Sequence, residues 1–251
     1  MVVTKAYGLY YREHARHGPR DGGKTMTTRS HRRRLLGGLT RSALIAALSP
    51  RALQAAIATL SSQRADDVVR LRGTLTVNGK PATTGTPVRL DDLLATGPDS
   101  EAVVHLAGDA FLLRSRTQLQ LAAASGGLRS VLVLAGRVLS VFARRPPDRP
   151  LDVRIPSATI GIRGTGMYLE LGRRRSYFCL CYGTAVVSGS SMDAPVTIET
   201  RHHESPVWLD ASGRAMRVMA ARFRNHTDDE LMLLEALAGR VPPFRPDDRR
   251  Y

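Results

Sequence analysis

Only two cysteines, Cys179 and Cys181, occur in 251 residues, aromatic residues make up 5% of the chain, and the 22 acidic residues are outnumbered by 37 Lys and Arg. Each scarcity removes a class of function. A net charge of +15 invites a nucleic-acid reading, but such a surface needs a basic face, preferably with aromatic rings on which bases stack. The chain has few rings, no zinc-finger spacing and no RNP-like motif. The charge is also uneven: 11 Lys or Arg and 2 acids lie up to Ala58, leaving 26 and 20 for the rest. Arg144 with Arg145, and Arg173, Arg174 and Arg175, fall between strand-like runs, where charge marks solvated turns. No nucleic-acid partner is expected.

Catalytic signatures are missing as well. There is no G-x-S-x-G elbow, no H-E-x-x-H and no pair of carboxylates on matched strands. Asp91 with Asp92, and Asp228 with Asp229, suit turn and helix-cap chemistry. Gly161, Gly164 and Gly166 crowd into six residues, yet no Lys-Ser/Thr follows and the sequence continues as a strand through Met167, Tyr168 and Leu169. A phosphate-cradling loop is therefore not expected. No apolar run reaches the roughly 20 residues of a bilayer-spanning helix; residues 35–48 are too few and are broken by Arg41.

That short run has another use. Arg32, Arg33 and Arg34 followed by Leu35 and Leu36 resemble a twin-arginine export signal. Ala56-Ile57-Ala58 fits an A-x-A cleavage pattern, placing a mature start near Thr59, and Met26 would give the signal a more usual length than Met1. The resemblance implies passage of an already folded protein to the bacterial periplasm, with no stable membrane span in the mature form. Folding before export would permit a cofactor to be assembled in the cytoplasm.

From Asp67 onward the chain reads as short strands separated by Gly, Pro, Asn and Asp at roughly 8 to 12 residues, the spacing of an all-β sandwich, roll or barrel. Asn78-Gly79 is a hairpin turn signal, because both residues tolerate positive φ. Residues 151–170, LDVRIPSATIGIRGTGMYLE, read as two short strands joined by a glycine-bent segment, with the glycines marking bulges, a corner or a close backbone contact. Near the C-terminus, Thr227 and Glu230 form a T-x-x-E capping box. Leu231, Leu234 and Leu237 then give one apolar helical face, and Gly239, Pro242 and Pro243 end the helix. This helix is expected to dock on a sheet edge.

Several of these segments, in order, resemble the FecR family of bacterial envelope domains over about residues 68–187. They are Gly85-Thr86-Pro87-Val88 with Asp91-Asp92-Leu93-Leu94-Ala95-Thr96-Gly97, then residues 100–106 with Gly108-Asp109-Ala110. Val133-Leu134-Ala135-Gly136-Arg137-Val138 follows, and Ile155-Pro156-Ser157-Ala158-Thr159 leads into Arg163-Gly164-Thr165. The resemblance implies a mainly β fold, a single FecR-like sandwich or roll of many short strands, here with one short C-terminal α-helix. Residues 1–58 would be the extension and signal, 67–212 the β domain, and 213–251 the helix and basic tail. It also implies envelope signalling linked to iron or metal uptake. Family regulators of sigma factors carry a cytoplasmic helical segment and a membrane span before this domain; here an export signal stands in that place, which points away from direct sigma-factor control.

Chemistry specific to this chain is expected downstream. In Tyr177-Phe178-Cys179-Leu180-Cys181-Tyr182, a strand places both thiols on one side. His202 and His203 follow about twenty residues later, within reach through strand pairing. Two Cys and one or two His suit zinc, copper or iron, so Cys179, Cys181, His202 and His203 are the candidate metal ligands. Adjacent histidines face opposite sides of a regular strand, so both could ligate only at a bend. His226, beside the helix cap, is a more remote candidate that could equally serve in packing. A strained, redox-active Cys179–Cys181 disulfide and a purely structural thiol pair remain open alternatives. The function expected is that of a non-enzymatic ligand- or metal-sensing module with an envelope partner, or else a structural interaction domain with no ligand.

Overall fold

The computed structural model describes residues 65–124, 127–146 and 150–244. The twin-arginine motif, the A-x-A site and the end of the basic tail lie outside the described residues. Fifteen strands and one helix make up the described part, so the fold is mainly β with one short helix near the C-terminus.

The strands form one hydrogen-bonded network. β1 (Asp67–Arg72), β2 (Leu75–Val77), β3 (Lys80–Ala82), β4 (Leu93–Thr96), β5 (Glu101–Leu106) and β6 (Asp109–Leu113) come first. β7 (Gln118–Ala124), β8 (Gly127–Ala135), β9 (Arg137–Val141), β10 (Leu151–Ile155) and β11 (Ala158–Glu170) follow. The main path runs β1-β5-β6-β9-β11-β10-β8-β7-β4-β2-β3. All pairings are antiparallel except β10 with β8. β12 (Arg175–Ser188) pairs with β11 on one side, and on the other with β13 (Val196–Thr200) and β14 (Val207–Asp210), which itself pairs with β15 (Arg217–Ala220).

Turn chemistry sets the register. Asn78 and Gly79 take φ of 52° and 76°, both positive as a two-residue primed turn requires. Asn78 Nδ2 donates to Asp92 Oδ1 at 2.6 Å, and Asp92 Oδ2 accepts from the Arg89 amide at 2.7 Å, so Asp92 does work as a turn residue.

Two corners of the expected picture change. The break within residues 151–170 falls at Pro156 and Ser157, between β10 and β11, rather than at the glycines. β11 continues through them because β12 pairs with it before and after, while on its other side β10 gives way to β9; the glycines mark the bulge expected of them, seen as register shifts between Arg163 and Met167. Gly164 takes a left-handed φ of 60° there, whereas Gly161 sits in the regular ladder opposite Val186 and Asp152.

Strands β5, β6 and β9, the second half of β11 and the first half of β12 are buried on both faces. Period-2 alternation sends Val104, Phe111, Leu113, Val138, Phe178 and Leu180 into a large first core. Their neighbours Val103, Ala110, Leu112, Leu139, Tyr177, Cys179 and Cys181 face a second apolar cluster. The helix α1 (Asp228–Leu237) closes that second side. Its capping box forms as expected, with the Thr227 side chain accepting from the Glu230 amide and the Glu230 carboxylate from the Thr227 amide. Leu231 and Leu234 are buried, each stabilising the docked helix by roughly 1.5–3 kcal/mol. They pack over β6 and β9, inside the strand order and not on a sheet edge. A face offers the Ala110, Leu112, Leu139 and Val141 side chains that an apolar helix stripe needs; an edge offers unpaired backbone.

No helix among the described residues is long and apolar enough to cross a membrane.

Candidate metal centre

The site begins with the register of β12. Gly166 pairs with Tyr182 and the next residue, Met167, pairs with Leu180, so Cys181 is the extra residue of a bulge. Cys179, two residues earlier, lies opposite Tyr168. Both thiols are free and fully buried on the second-core side. The expected shared face is therefore present.

β13 ends at Thr200, and the chain then bends through Arg201, His202 and His203. Glu204 fixes the bend: its carboxylate accepts from the Arg201 amide at 3.0 Å, and its own amide donates to Thr200 Oγ1 at 3.0 Å. His203 adopts a left-handed φ of 56°. Its amide donates to the Cys181 carbonyl at 2.9 Å, setting the imidazole beside the thiols.

His226 arrives from the opposite direction, immediately before the cap of α1. Its ring stacks on Tyr168 with centroids 4.6 Å apart and packs against Phe223 at 4.5 Å. Four ligand atoms thus converge: Cys179 Sγ, Cys181 Sγ, one nitrogen of His203 and one of His226, all within 4.8 Å of one another and all on buried residues.

Three of the six edges between these atoms have the dimensions of a tetrahedral site. Cys179 Sγ to His203 Nδ1 is 3.5 Å, Cys181 Sγ to His226 Nε2 is 3.4 Å, and His226 Nε2 to His203 Nδ1 is 3.3 Å. Around a four-coordinate zinc, with bonds of about 2.3 Å to sulfur and about 2.0 Å to nitrogen, sulfur–nitrogen edges come to about 3.5 Å and nitrogen–nitrogen edges to about 3.3 Å.

Proton placement, assigned from the hydrogen-bond network, agrees. His203 Nε2 lies 3.1 Å from Asp228 Oδ1, and a carboxylate can only accept, so Nε2 carries a hydrogen and in the neutral ring Nδ1 is bare. His226 Nδ1 lies 2.8 Å from the Arg224 carbonyl, which again only accepts, leaving Nε2 bare. Both lone pairs point into the thiol cluster. The carboxylate behind His203 is the outer partner that orients and strengthens an imidazole ligand.

The thiols titrate as a pair. Burial raises Cys179, but the neighbouring Cys181 thiol, followed by the His203 and His226 imidazoles, outweighs it and holds Cys179 well below the usual thiol range. Burial, followed by the neighbouring Cys179, holds Cys181 well above that range. One thiolate is thus accessible without metal. A cation carrying two positive charges would stabilise both.

Of the four residues singled out in the sequence, Cys179, Cys181 and His203 come together, and His226 completes the group. His202 lies beside it: its Nε2 is 2.9 Å from Asp228 Oδ1 and its ring stacks on Phe244 at 4.2 Å. His202, His203 and Asp228 form an adjoining three-residue group. Asp228, read in the sequence only as a cap acid, therefore also links two histidines to the first turn of α1. The capping box is the one sequence signal that fixed His226 and Asp228 on either side of the helix start.

No protein-family model matches the chain, and no curated protein matches it. Among solved structures, it is similar to two crystal structures of candidate anti-sigma factors from Parabacteroides distasonis. The first is 11% identical with a TM-score of 0.43, over 51% of this chain and 59% of that one. The second is 12% identical with a TM-score of 0.43, over 63% of this chain and 82% of that one. The chain thus spans little more than half the length of the first.

Proposed function

We propose that this chain is a non-enzymatic, exported β module of FecR type that holds one zinc-class ion through Cys179, Cys181, His203 and His226, and serves metal-linked signalling in the bacterial envelope. The convergence of two bare imidazole nitrogens on two buried thiols, at tetrahedral edge lengths, carries this reading. Two thiolates and two imidazoles suit zinc, and four protein ligands with no open position make a holding site rather than a catalytic one. The twin-arginine-like segment supports loading before export. The ordered FecR-like motifs support the envelope setting.

Elemental analysis of the full chain purified without chelators tests the reading. Near-stoichiometric zinc is expected, and a Cys179→Ser plus Cys181→Ser variant should retain none. Folded wild-type protein that is free of metal and takes up none on incubation with zinc would overturn it, and would leave the structural interaction domain as the better account.

A further inference from the structure

The four ligand residues come from three separate parts of the chain. Cys179 and Cys181 belong to β12, His203 to the bend after β13, and His226 to the segment leading into α1. That last segment is the start of a cover. Residues 221–244 return over the second apolar cluster, where Leu231, Leu234, Ala238 and Phe244 pack with Val103, Ala110, Leu112, Leu139 and Val141 of the sheet.

The division between the two cores decides what depends on the metal. All four ligand residues and the whole cover lie on the second side; the first core contains none of them. Thirty-three buried residues spread over the strands hold the first core together, so the sheet has its own reason to stay folded. The cover does not. Its only regular element is a helix of ten residues with no basic residue in its last turn, and a helix of that length is marginal in water without packing.

Polar contacts tie the cover down at its ends. Arg114 Nη2 donates to Glu230 Oε1 at 2.7 Å, and Asn225 Nδ2 donates to Glu170 Oε2 at 2.7 Å. Near the other end Glu235 accepts from the buried Tyr182 hydroxyl of β12, and Arg240 Nη1 donates to the Gly108 carbonyl at 2.7 Å. The Arg114 and Asn225 contacts reach part-exposed or exposed groups, where ion pairs and hydrogen bonds compete with water. Between these ends the cover is held by His226 and, one step behind the ligands, by Asp228 against His202 and His203. Without a cation, His203 Nδ1 and His226 Nε2 face each other at 3.3 Å among Tyr168, Phe223 and Phe244, an arrangement of two acceptors that disfavours the closed state.

Resting on the metal-holding reading above, we propose that the ion is a latch. Metal binding and docking of residues 221–244 are one equilibrium, and loss of the ion lifts the cover while the sheet remains folded, exposing the apolar face formed by Val103, Ala110, Leu112, Leu139 and Val141. Metal status is thereby converted into the accessibility of a surface. Because a site assembled from two separable parts of a chain exists only when they are together, the ion's binding free energy is spent on holding them together.

Hydrogen–deuterium exchange on the full chain, with zinc content measured on the same samples, tests this. Comparing zinc-loaded protein with protein stripped by a chelator, peptides from 221–244 should lose at least tenfold in protection, while β8 and β10 keep theirs; zinc added back should restore the cover. A His226→Ala variant, which leaves the sheet and three ligands intact, should show the open cover even with zinc present. Stoichiometric zinc whose removal leaves 221–244 unchanged would overturn the latch and leave the metal-holding reading standing. Equal loss of protection in all strands would also overturn it, making the ion a staple of the whole fold. Protein that binds no zinc at all overturns both.

Discussion

Cys181 Sγ lies 3.4 Å from His226 Nε2, although 45 residues separate them in sequence. The contact joins the bulged strand β12 to the residue before the cap of α1, and it brings the fourth ligand atom to the thiols and His203. Replacing sulfur by oxygen at both cysteines should therefore do more than remove two hydrogen bonds. For Cys179→Ser plus Cys181→Ser, with the ion lost, a destabilisation of about 4 kcal/mol is expected, large for a surface-distant pair of conservative changes. At about 2–4 °C per kcal/mol for a chain of this size, the melting temperature should fall by roughly 8–16 °C. In chelator the difference between the two proteins should shrink to a small residue, and differential scanning calorimetry with and without chelator checks both halves.

Asp228 offers a subtler test, since it is not one of the four ligands yet receives hydrogen bonds from His202 and His203. Asp228→Asn keeps the shape and an acceptor oxygen but removes the charge that favours the Nε2–H form of His203. Outer-shell changes of this kind cost about 10–100-fold in metal affinity. Competition against a chromophoric chelator should show that loss, while the Thr227–Glu230 capping box preserves the helix signal in far-ultraviolet circular dichroism. An affinity equal to wild type would mean that Asp228 serves only as a helix-start acid.

The parts of this centre were unequally visible in the sequence, for physical reasons. A Cys-x-Cys step in a strand has one geometric consequence, a shared face, and that consequence holds whatever surrounds it. His203 was legible as one of a nearby pair, although which of His202 and His203 turns toward the thiols depends on the left-handed bend at His203, which no local propensity announces. His226 carried the weakest signal. Its place is set by how a returning segment crosses a sheet face, and only tertiary packing of Leu231 and Leu234 on β6 and β9 fixes that path. The β character of residues 151–170 was likewise legible, and so was a bulge at its glycines, but not its breakpoint: Pro156 and Ser157 take the turn, while the glycines lie where β11 exchanges β10 for β9 along an unbroken β12.

Asp109 makes stability depend on pH. It is completely buried, and burial raises its pKa to about 6 from 3.8, with the Arg145 and Arg240 charges and the Ala143 amide pulling the other way. A raised carboxylate holds its proton longer in the folded state than in the unfolded one. Its favourable contribution is then complete below about pH 4 and is lost as pH rises toward 6 and above. A shift of about two units corresponds to about 3 kcal/mol at 1.36 kcal/mol per unit. Asp109→Asn removes this proton, so the stability of the variant relative to wild type should rise by up to that amount between pH 4 and pH 7. Urea titrations at several pH values check it, and a difference independent of pH would show that the Arg145 ion pair keeps Asp109 charged throughout.

The three glycines of β11 should respond differently to alanine, each for its own reason. At Gly161 a Cβ would find nothing nearer than the Val186 carbonyl oxygen at 3.8 Å, so Gly161→Ala should be neutral or stabilising by up to about 1 kcal/mol, because a strand glycine is entropically costly to order. Gly164 has φ of +60°, and a Cβ there would sit 3.1 Å from Arg144 Cα; the left-handed backbone alone costs an alanine about 1–2 kcal/mol. At Gly166 the obstacle is a side chain, with Cβ 2.5 Å from Tyr182 Cε1. That ring is buried and its hydroxyl donates to Glu235, which also accepts from Arg240, so it cannot swing aside without releasing the end of α1. Overpacking of this kind costs about 1–3 kcal/mol, and Gly166→Ala should in addition loosen residues 235–240. Chemical denaturation of the three variants should therefore rank them Gly161, Gly164, Gly166 in increasing damage, and a damaging Gly161→Ala would show that β11 is less regular opposite Val186 than its pairing indicates.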